Sequence, residues 1–449
     1  MCSPVAHEGS SGMGGDMTGL DPGESLQAFY AEANRAAPDA ADPLGPAWSR
    51  FQAIAALVTE NTVPSTLSQL MAAGVDVIRG QPSLLSGLRV QVGDRRLTPR
   101  KLLLALPGEW QPPDLPGLGE TPYLTPVSLA QLKTLPQSLI ILGSSPLALE
   151  IAQALARWGV AVTLITPSPQ LLPSEEPSVS QWITAELTAA GVEVHLGMQP
   201  TAVTTGADGI CVYGESGNQG DSRRWMADRL LIGTSPRPVL ADLNLAAVGV
   251  RLKNQAISVN RYLQTRHPYI YACGAVLGGD CLSVACHEAA VAVENALFWN
   301  RRPTRYDQLP YTLLTQPEFC RVGMTIAQAQ QRYGPNAVNR YDAVLDGNRK
   351  AQALGNTTGF CRLVAHRRGQ LLGAHLVGPQ ASEWGQVLAI ARQHCFTLQD
   401  LAQLPTLPQT LTDLVRQAAA QWEGDRWQPG QWRRDWAENW FNWRRSSRR

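Results

Sequence analysis

With 449 residues, 44% of them hydrophobic, the chain is long enough for two to four domains with buried cores. A formal charge of +1, with no long like-charge block, argues against bulk nucleic-acid binding. No apolar run reaches bilayer-spanning length and the start lacks a charged-then-apolar leader pattern, so the sequence reads as cytosolic; eight scattered cysteines without metal-ligand spacing suit a reducing compartment and point to no metal site.

In chain order, residues 1–47 read as an irregular segment rich in Gly, Ser and Pro, with one helix over roughly 25–36. A helix over 48–73, broken near Pro64, precedes the strand "VDVIRG", a "LRVQV-GD-RRLT" hairpin and the apolar strand "KLLLAL". Residues 139–142 form a short apolar strand, Gly143 the turn, and Ser144 or Ser145 the cap of a helix that starts at Pro146 and ends before Gly159. Its face carries Leu147, Ile151, Ala154, Leu155 and Trp158, and the strand 161–165 completes a βαβ unit of a buried parallel sheet. A helix over 179–190, the strands "VEVHL" and "YIYAC", and a helix over 282–299 follow. From Tyr311 the texture becomes α+β, with strands "FCRLVAH" and "LLGAHLVG" and a helix over 382–394.

The turn after residue 142 has the layout of a dinucleotide fingerprint. That fingerprint needs small residues for the tight turn, for backbone approach to pyrophosphate and for helix packing on the strand, and here they are Gly143, Ser145 and Ala148. Ser145 adds a Cβ where the phosphate approaches. The strand end that would hold an acid for the ribose reads Thr166, Pro167, Ser168, and no Arg stands there for a 2′-phosphate, so the choice of NAD or NADP stays open. The turn is open to two readings, a cofactor site or a relic of the fold.

Taken together, "LPGLGETPYLT", "GSSPLALEIAQALARWGVAVTLI", "YIYACGAVLGGDCLSVACHEAAVAVENAL", "QPEFCRVGMTIAQA" and "GFCRLVAHRRGQLLGAHLVGPQASEW" resemble, in order and spacing, the pyridine nucleotide-disulfide oxidoreductases, in the texture of mercuric reductase and dihydrolipoamide dehydrogenase. The resemblance covers about 48–421. It implies FAD, NAD or NADP, a homodimer, and electron flow from nicotinamide through flavin to a cysteine pair. It also implies an α/β fold of two Rossmann-like domains, an incomplete FAD-like one over 48–120 and 241–305 and an NAD(P)-like one over 121–240, then an α+β dimerisation domain over 306–421.

Several positions depart from that family. The early "GSSGMGGDMTG" follows no strand, and the Cys-x4-Cys expected near the start is absent. Ala105, Leu106 and Pro107 stand for the family's Ala-Thr-Gly flavin contact, and after Gly274 the family's ribityl-holding Asp is Ala275. Loss of such a charge-assisted hydrogen bond costs about 1.5–3 kcal/mol. Leu404 and Gln409 replace the family's His and Glu acid-base dyad. Glu150 does match an acidic family position facing nicotinamide and flavin; its other reading is a solvated or Arg-paired helix residue. Cys281 and Cys286 have the redox spacing but sit at a helix start, pointing about 140° apart, and read as structural. His287, His375 and His394 form no ligand cluster.

Residues 1–47 contain no apolar strand able to fill the central first position of the FAD sheet, so either the protein begins upstream of Met1 or this domain is rebuilt. The 422–449 tail is unlike the family: Trp432, Trp436, Trp440 and Trp443 share one helical face among Arg433, Arg434, Arg444 and Arg445. It suits a peripheral membrane surface, a protein partner, or packing on the chain's own dimerisation domain. Two functions follow: a divergent FAD-dependent NAD(P)H oxidoreductase without a disulfide centre, or an inactive scaffold docking through its tail.

Overall fold

The computed structural model describes residues 5–6, 22–36, 48–49, 51–52, 66–217, 220–405, 407, 409–428 and 431–446. The expected helix break near Pro64 and the early Gly-rich stretch lie outside them. The chain divides into two compact units, Met1–Thr304 and Arg305–Arg449.

In the first unit, four parallel strands lie in the order Glu193–Leu196, Ala161–Thr166, Ser138–Leu142, Arg229–Ile232. Leu139, Ile140, Ile141, Leu164, Ile165, Leu230, Leu231 and Ile232 are all buried. Near-continuous apolar strands are what a parallel sheet covered on both faces demands. The helix Pro146–Arg157 crosses over it, its Ile151, Ala154 and Leu155 fully buried, and Gly159 leaves it with a φ of 82°. A second, FAD-like half is small: Leu102–Leu104 pairs in parallel with Ile270–Ala272, beside the antiparallel sheet Pro82–Leu85, Arg89–Val92, Arg95–Leu97. Ile78, Leu84, Val90, Leu104, Ile270 and Val276 share one core there.

The N-terminal segment carries the expected helix and, in addition, a short strand that stands outside the ladder of Leu102–Leu104 and Ile270–Ala272. Val5–Ala6 is a strand, paired in parallel with Ile78–Arg79. The expected helix spans Pro22–Arg35 and is tied into the first unit. Tyr30 donates through its hydroxyl to the Pro126 carbonyl at 2.8 Å, and Trp158 Nε1 donates to the Ala33 carbonyl at 2.8 Å. Phe29, Trp48, Phe51 and Trp158 form one ring cluster with centroids 5.0 to 5.8 Å apart. Burial of Phe51 alone contributes roughly 1.5–3 kcal/mol, so this segment is fastened to the first unit by its aromatic residues.

The second unit is a five-stranded antiparallel sheet in the order Pro310–Leu313, Glu318–Gly323, Leu371–Gly378, Phe360–His366, Val338–Val344. Side chains from Ala381–Gln393 and Asp413–Arg426, including Trp384, Leu388, Leu414 and Trp422, share a core with Cys320, Leu363 and Leu376. His375, in the strand Leu371–Gly378, stands opposite Arg321 on one neighbour and Arg362 on the other. It is fully buried and neither ring nitrogen has a hydrogen-bond partner. Burial first, then the two guanidinium groups, push its pKa down to about 3, so the fold holds a neutral imidazole.

Candidate functional site

The turn after Ser138–Leu142 is built by close backbone packing. Gly143 has a φ of 108°, and a Cβ on it would lie 2.8 Å from the Gly233 carbonyl carbon and oxygen. Gly233 is equally constrained: a Cβ there would be 2.6 Å from Ile141 Cγ2 and 2.9 Å from Ala148 Cβ. Ser145 N–H donates to the Gly233 carbonyl at 3.0 Å, and its hydroxyl accepts from Ala148 N–H at 3.3 Å as the helix cap. Gly143, Ser145 and Ala148 are therefore brought together, and Gly233 is the fourth member, which the sequence pattern missed. Its one signal is a Gly immediately after the apolar strand "RLLI".

At the ribose end, the Thr166 hydroxyl lies 3.0 Å from the Ser144 hydroxyl and accepts from Ser168 N–H at 3.3 Å. These groups are neutral, so this strand end sets no charge preference between a ribose hydroxyl and a ribose phosphate.

Glu150 lies one turn further along the helix and is fully buried. That removes the solvated reading of this residue. Gln27 Nε2, from the N-terminal helix, donates to its Oε1 at 3.0 Å, and Asn34 Nδ2 donates to its backbone carbonyl at 3.1 Å. Neither contact is legible locally, because both bridge segments distant in sequence.

The segment around Gly274 is a separate constellation. Gly274 has a φ of 73° and donates its N–H to Glu288 Oε2 at 2.8 Å, a buried carboxylate from the helix Leu282–Leu297. Ala275 presents a methyl group, and a Cβ on Gly108 would lie 3.5 Å from it. Leu106 packs against the apolar core of the FAD-like half. Asp280 lies further along the chain and accepts from the Ser235 hydroxyl at 2.6 Å.

Cys281 and Cys286 are free thiols. Cys281 is the N-cap of the helix, extended at φ −104° and ψ 117°, with Sγ 3.2 Å from the Ser283 hydroxyl; Cys286 is inside the helix. Cys273 is buried beside them, and burial, Glu288 and Cys286 push its thiol up to about 12, which keeps it protonated and unreactive. Leu404 packs on the core of the second unit and Gln409 is exposed. Among the described residues no group of His, Cys, Asp and Glu could hold a metal ion.

A family model for pyridine nucleotide-disulphide oxidoreductases matches residues 25–296, and the model for that family's dimerisation domain matches residues 309–419. The chain belongs to this family. The match begins within the N-terminal helix, earlier than the resemblance in the sequence suggests. A mercuric reductase from Staphylococcus aureus is 31% identical over 78% of the chain and 64% of its own length. One from Bacillus cereus is 30% identical over 82% of the chain and 58% of its own length, so the chain spans about three fifths of these relatives. A dihydrolipoyl dehydrogenase from Chlorobaculum tepidum is 31% identical over 78% of the chain and 76% of its own length. The same fold is seen in the HOCl-induced flavoprotein disulfide reductase RclA from Escherichia coli, with a TM-score of 0.75 at 20% identity, and in LpdA from Mycobacterium tuberculosis, with 0.76 at 24%, each covering 93% of both chains.

Members of this family are FAD- and NAD(P)-dependent flavoproteins. The two halves of the first unit fit those groups differently. At residues 143–148 the left-handed Gly143 and the N-terminus of a twelve-residue helix fit a pyrophosphate. At Gly274 and Ala275 the turn is left-handed, its Gly274 N–H is already taken by Glu288, and the side chain that follows is a methyl, so this turn fits a flavin less well than the first fits a pyrophosphate.

Proposed function

We propose that the chain is a divergent FAD-dependent NAD(P)H oxidoreductase of this family that works in the cytosol as a homodimer and without a disulfide centre. The observation that carries this reading is the mutual packing of Gly143, Gly233 and Ala148, which keeps the nucleotide turn in the tight shape a pyrophosphate needs. In this reading the amides of Gly143 to Ser145 and the positive end of the helix Pro146–Arg157 hold the pyrophosphate. Glu150, buried and braced by Gln27, serves the nicotinamide site by fixing the helix Pro146–Arg157 from within, and Gly274 and Ala275 line the flavin side. The bound nicotinamide supplies the hydride. With no disulfide among the described residues, reducing equivalents go to a small acceptor that enters from solvent.

The test is the visible spectrum of the purified full chain after desalting, followed by nicotinamide oxidation assays and calorimetric titration with NADH and NADPH. Flavin bands with nicotinamide turnover support the proposal. A colourless, folded protein that binds neither nucleotide would sink it and favour the second reading, a family-derived scaffold. The observation favouring that second reading is the exposed tryptophan stripe of the terminal helix.

A further inference from the structure

The terminal helix Trp432–Ser446 buries none of its side chains. Packing of its stripe into the chain's own dimerisation domain is thereby set aside. Trp432, Trp436, Trp440 and Trp443 are 70%, 62%, 44% and 66% exposed, a concentration of apolar area that soluble surfaces do not carry without use. At roughly 100° per residue the four indoles fall within an arc of about 80°. Trp436 and Trp440 stack at 6.3 Å with planes 9° apart, so part of the stripe is a continuous aromatic surface.

Charge borders that surface on one side. The Arg433 guanidinium lies 5.4 Å from the Trp432 ring centroid, and that of Arg444 lies 5.2 Å from Trp440. Arg434 and Arg445 follow further round, and the sequence ends in two more arginines, Arg448 and Arg449, against only Asp435 and Glu438 in the same stretch. The helix contains no Leu, Ile, Val or Met, the aliphatic knobs that a second helix would interlock with. Indoles with a polar N–H, flanked by guanidinium groups on a helix of low overall hydropathy, match instead the boundary between acyl chains and anionic headgroups. No helix among the described residues is long and apolar enough to cross a membrane.

We propose that this helix docks the protein onto an anionic lipid surface, lying in the plane of the headgroups with Trp432, Trp436, Trp440 and Trp443 inserted and Arg433 and Arg444 on the phosphates, while Arg434, paired with Glu438 at 2.8 Å, and Arg445 lie on the far face and add to the longer-range attraction. The proposal stands independently of the redox reading, since it uses no cofactor residue.

The experiment is co-sedimentation of the full chain with vesicles of phosphatidylcholine alone or mixed with phosphatidylglycerol, at low and high salt. It is repeated for the variants W432A/W436A/W440A/W443A and R433Q/R434Q/R444Q/R445Q, with unfolding curves and size-exclusion profiles of each. The expected result is binding to the anionic vesicles that weakens with salt and drops at least about tenfold in each variant, with unfolding unchanged. Absence of binding to anionic vesicles, or variants that bind as the parent does, would overturn the proposal. So would a change of oligomeric state in the tryptophan variant, which would reassign the stripe to a second copy of the chain.

Discussion

The turns at Gly143 and Gly274 of the first unit differ in what their geometry needs. At Gly143 the demand is steric: the backbones of two strand ends touch, and there is no room for a methyl group at Gly143 or Gly233. At Gly274 the nearest atom to an added Cβ would be 3.6 Å away, and the need is conformational and electrostatic. A packing requirement persists because the fold depends on it. The side chain at Ala275 carries no such packing demand, so a change there leaves the sheet untouched.

Changes that strike the packing of the first turn should do the most damage. Gly143→Ala forces a Cβ against the Gly233 carbonyl at a φ that L residues resist, and should cost about 3 kcal/mol or more in urea unfolding, abolishing any nucleotide binding with it. A loss below about 1 kcal/mol would show that the turn is soft and the contrast with Gly274 false.

A control belonging to neither turn is His375. Its folded pKa is lowered, so the unfolded chain takes up a proton that the native state refuses; stability is full above about 6.5 and drains as pH falls toward about 3. At about 1.4 kcal/mol per unit, roughly 2–3 kcal/mol should be lost between pH 7 and pH 4. His375→Leu should flatten that acid limb, read from unfolding midpoints across pH, and leave nucleotide titrations untouched; an unchanged slope would discard the buried-imidazole account.

Smaller effects probe the bracing of Glu150. Gln27→Ala removes a donor to a buried carboxylate and should cost about 1–2 kcal/mol while weakening nicotinamide binding. Stability loss without any change in nucleotide affinity would confine Glu150 to a structural part. Ala275→Asp should alter stability least, within about 0.5 kcal/mol, yet raise flavin retention on desalting about tenfold or more if the charged contact is what the second turn lacks. Equal retention in both proteins would mean that the backbone contacts suffice.

The βαβ unit was legible because its signals are local: apolar runs for the buried strands, Ser145 and Pro146 to start the helix, Gly159 to end it. The antiparallel strands Phe360–His366 and Leu371–Gly378 were legible for the same reason, as apolar runs on either side of a turn. What stayed hidden was the choice of remote partners. Nothing near Gly233 announces that it meets Gly143, nothing in "ESLQAFYAEANR" says that Gln27 will reach Glu150, and a two-residue strand such as Val5–Ala6 is too short for any periodicity to register. The departures at Ala275, Leu404 and Gln409 could be read directly, but only against the family's pattern. The structure adds that Leu106 and Leu404 have become packing residues.

The hydrogen bond from Ser145 to Gly233 also has a kinetic meaning. The strand Arg229–Ile232 docks beside Ser138–Leu142 only after the long excursion through two helices, two further strands of the parallel sheet and the antiparallel sheet Met198–Ala227 has been closed, and pairing across such a span is slow to form. The turn after Leu142 is consequently among the last parts of its unit to mature, whereas the hairpin joining Phe360–His366 to Leu371–Gly378 can zip early. On refolding of the full chain from denaturant, the C-terminal sheet would assemble while the turn after Leu142 is still unmade, and pulse-labelled hydrogen exchange should register protection at Ser145 after protection at Val364.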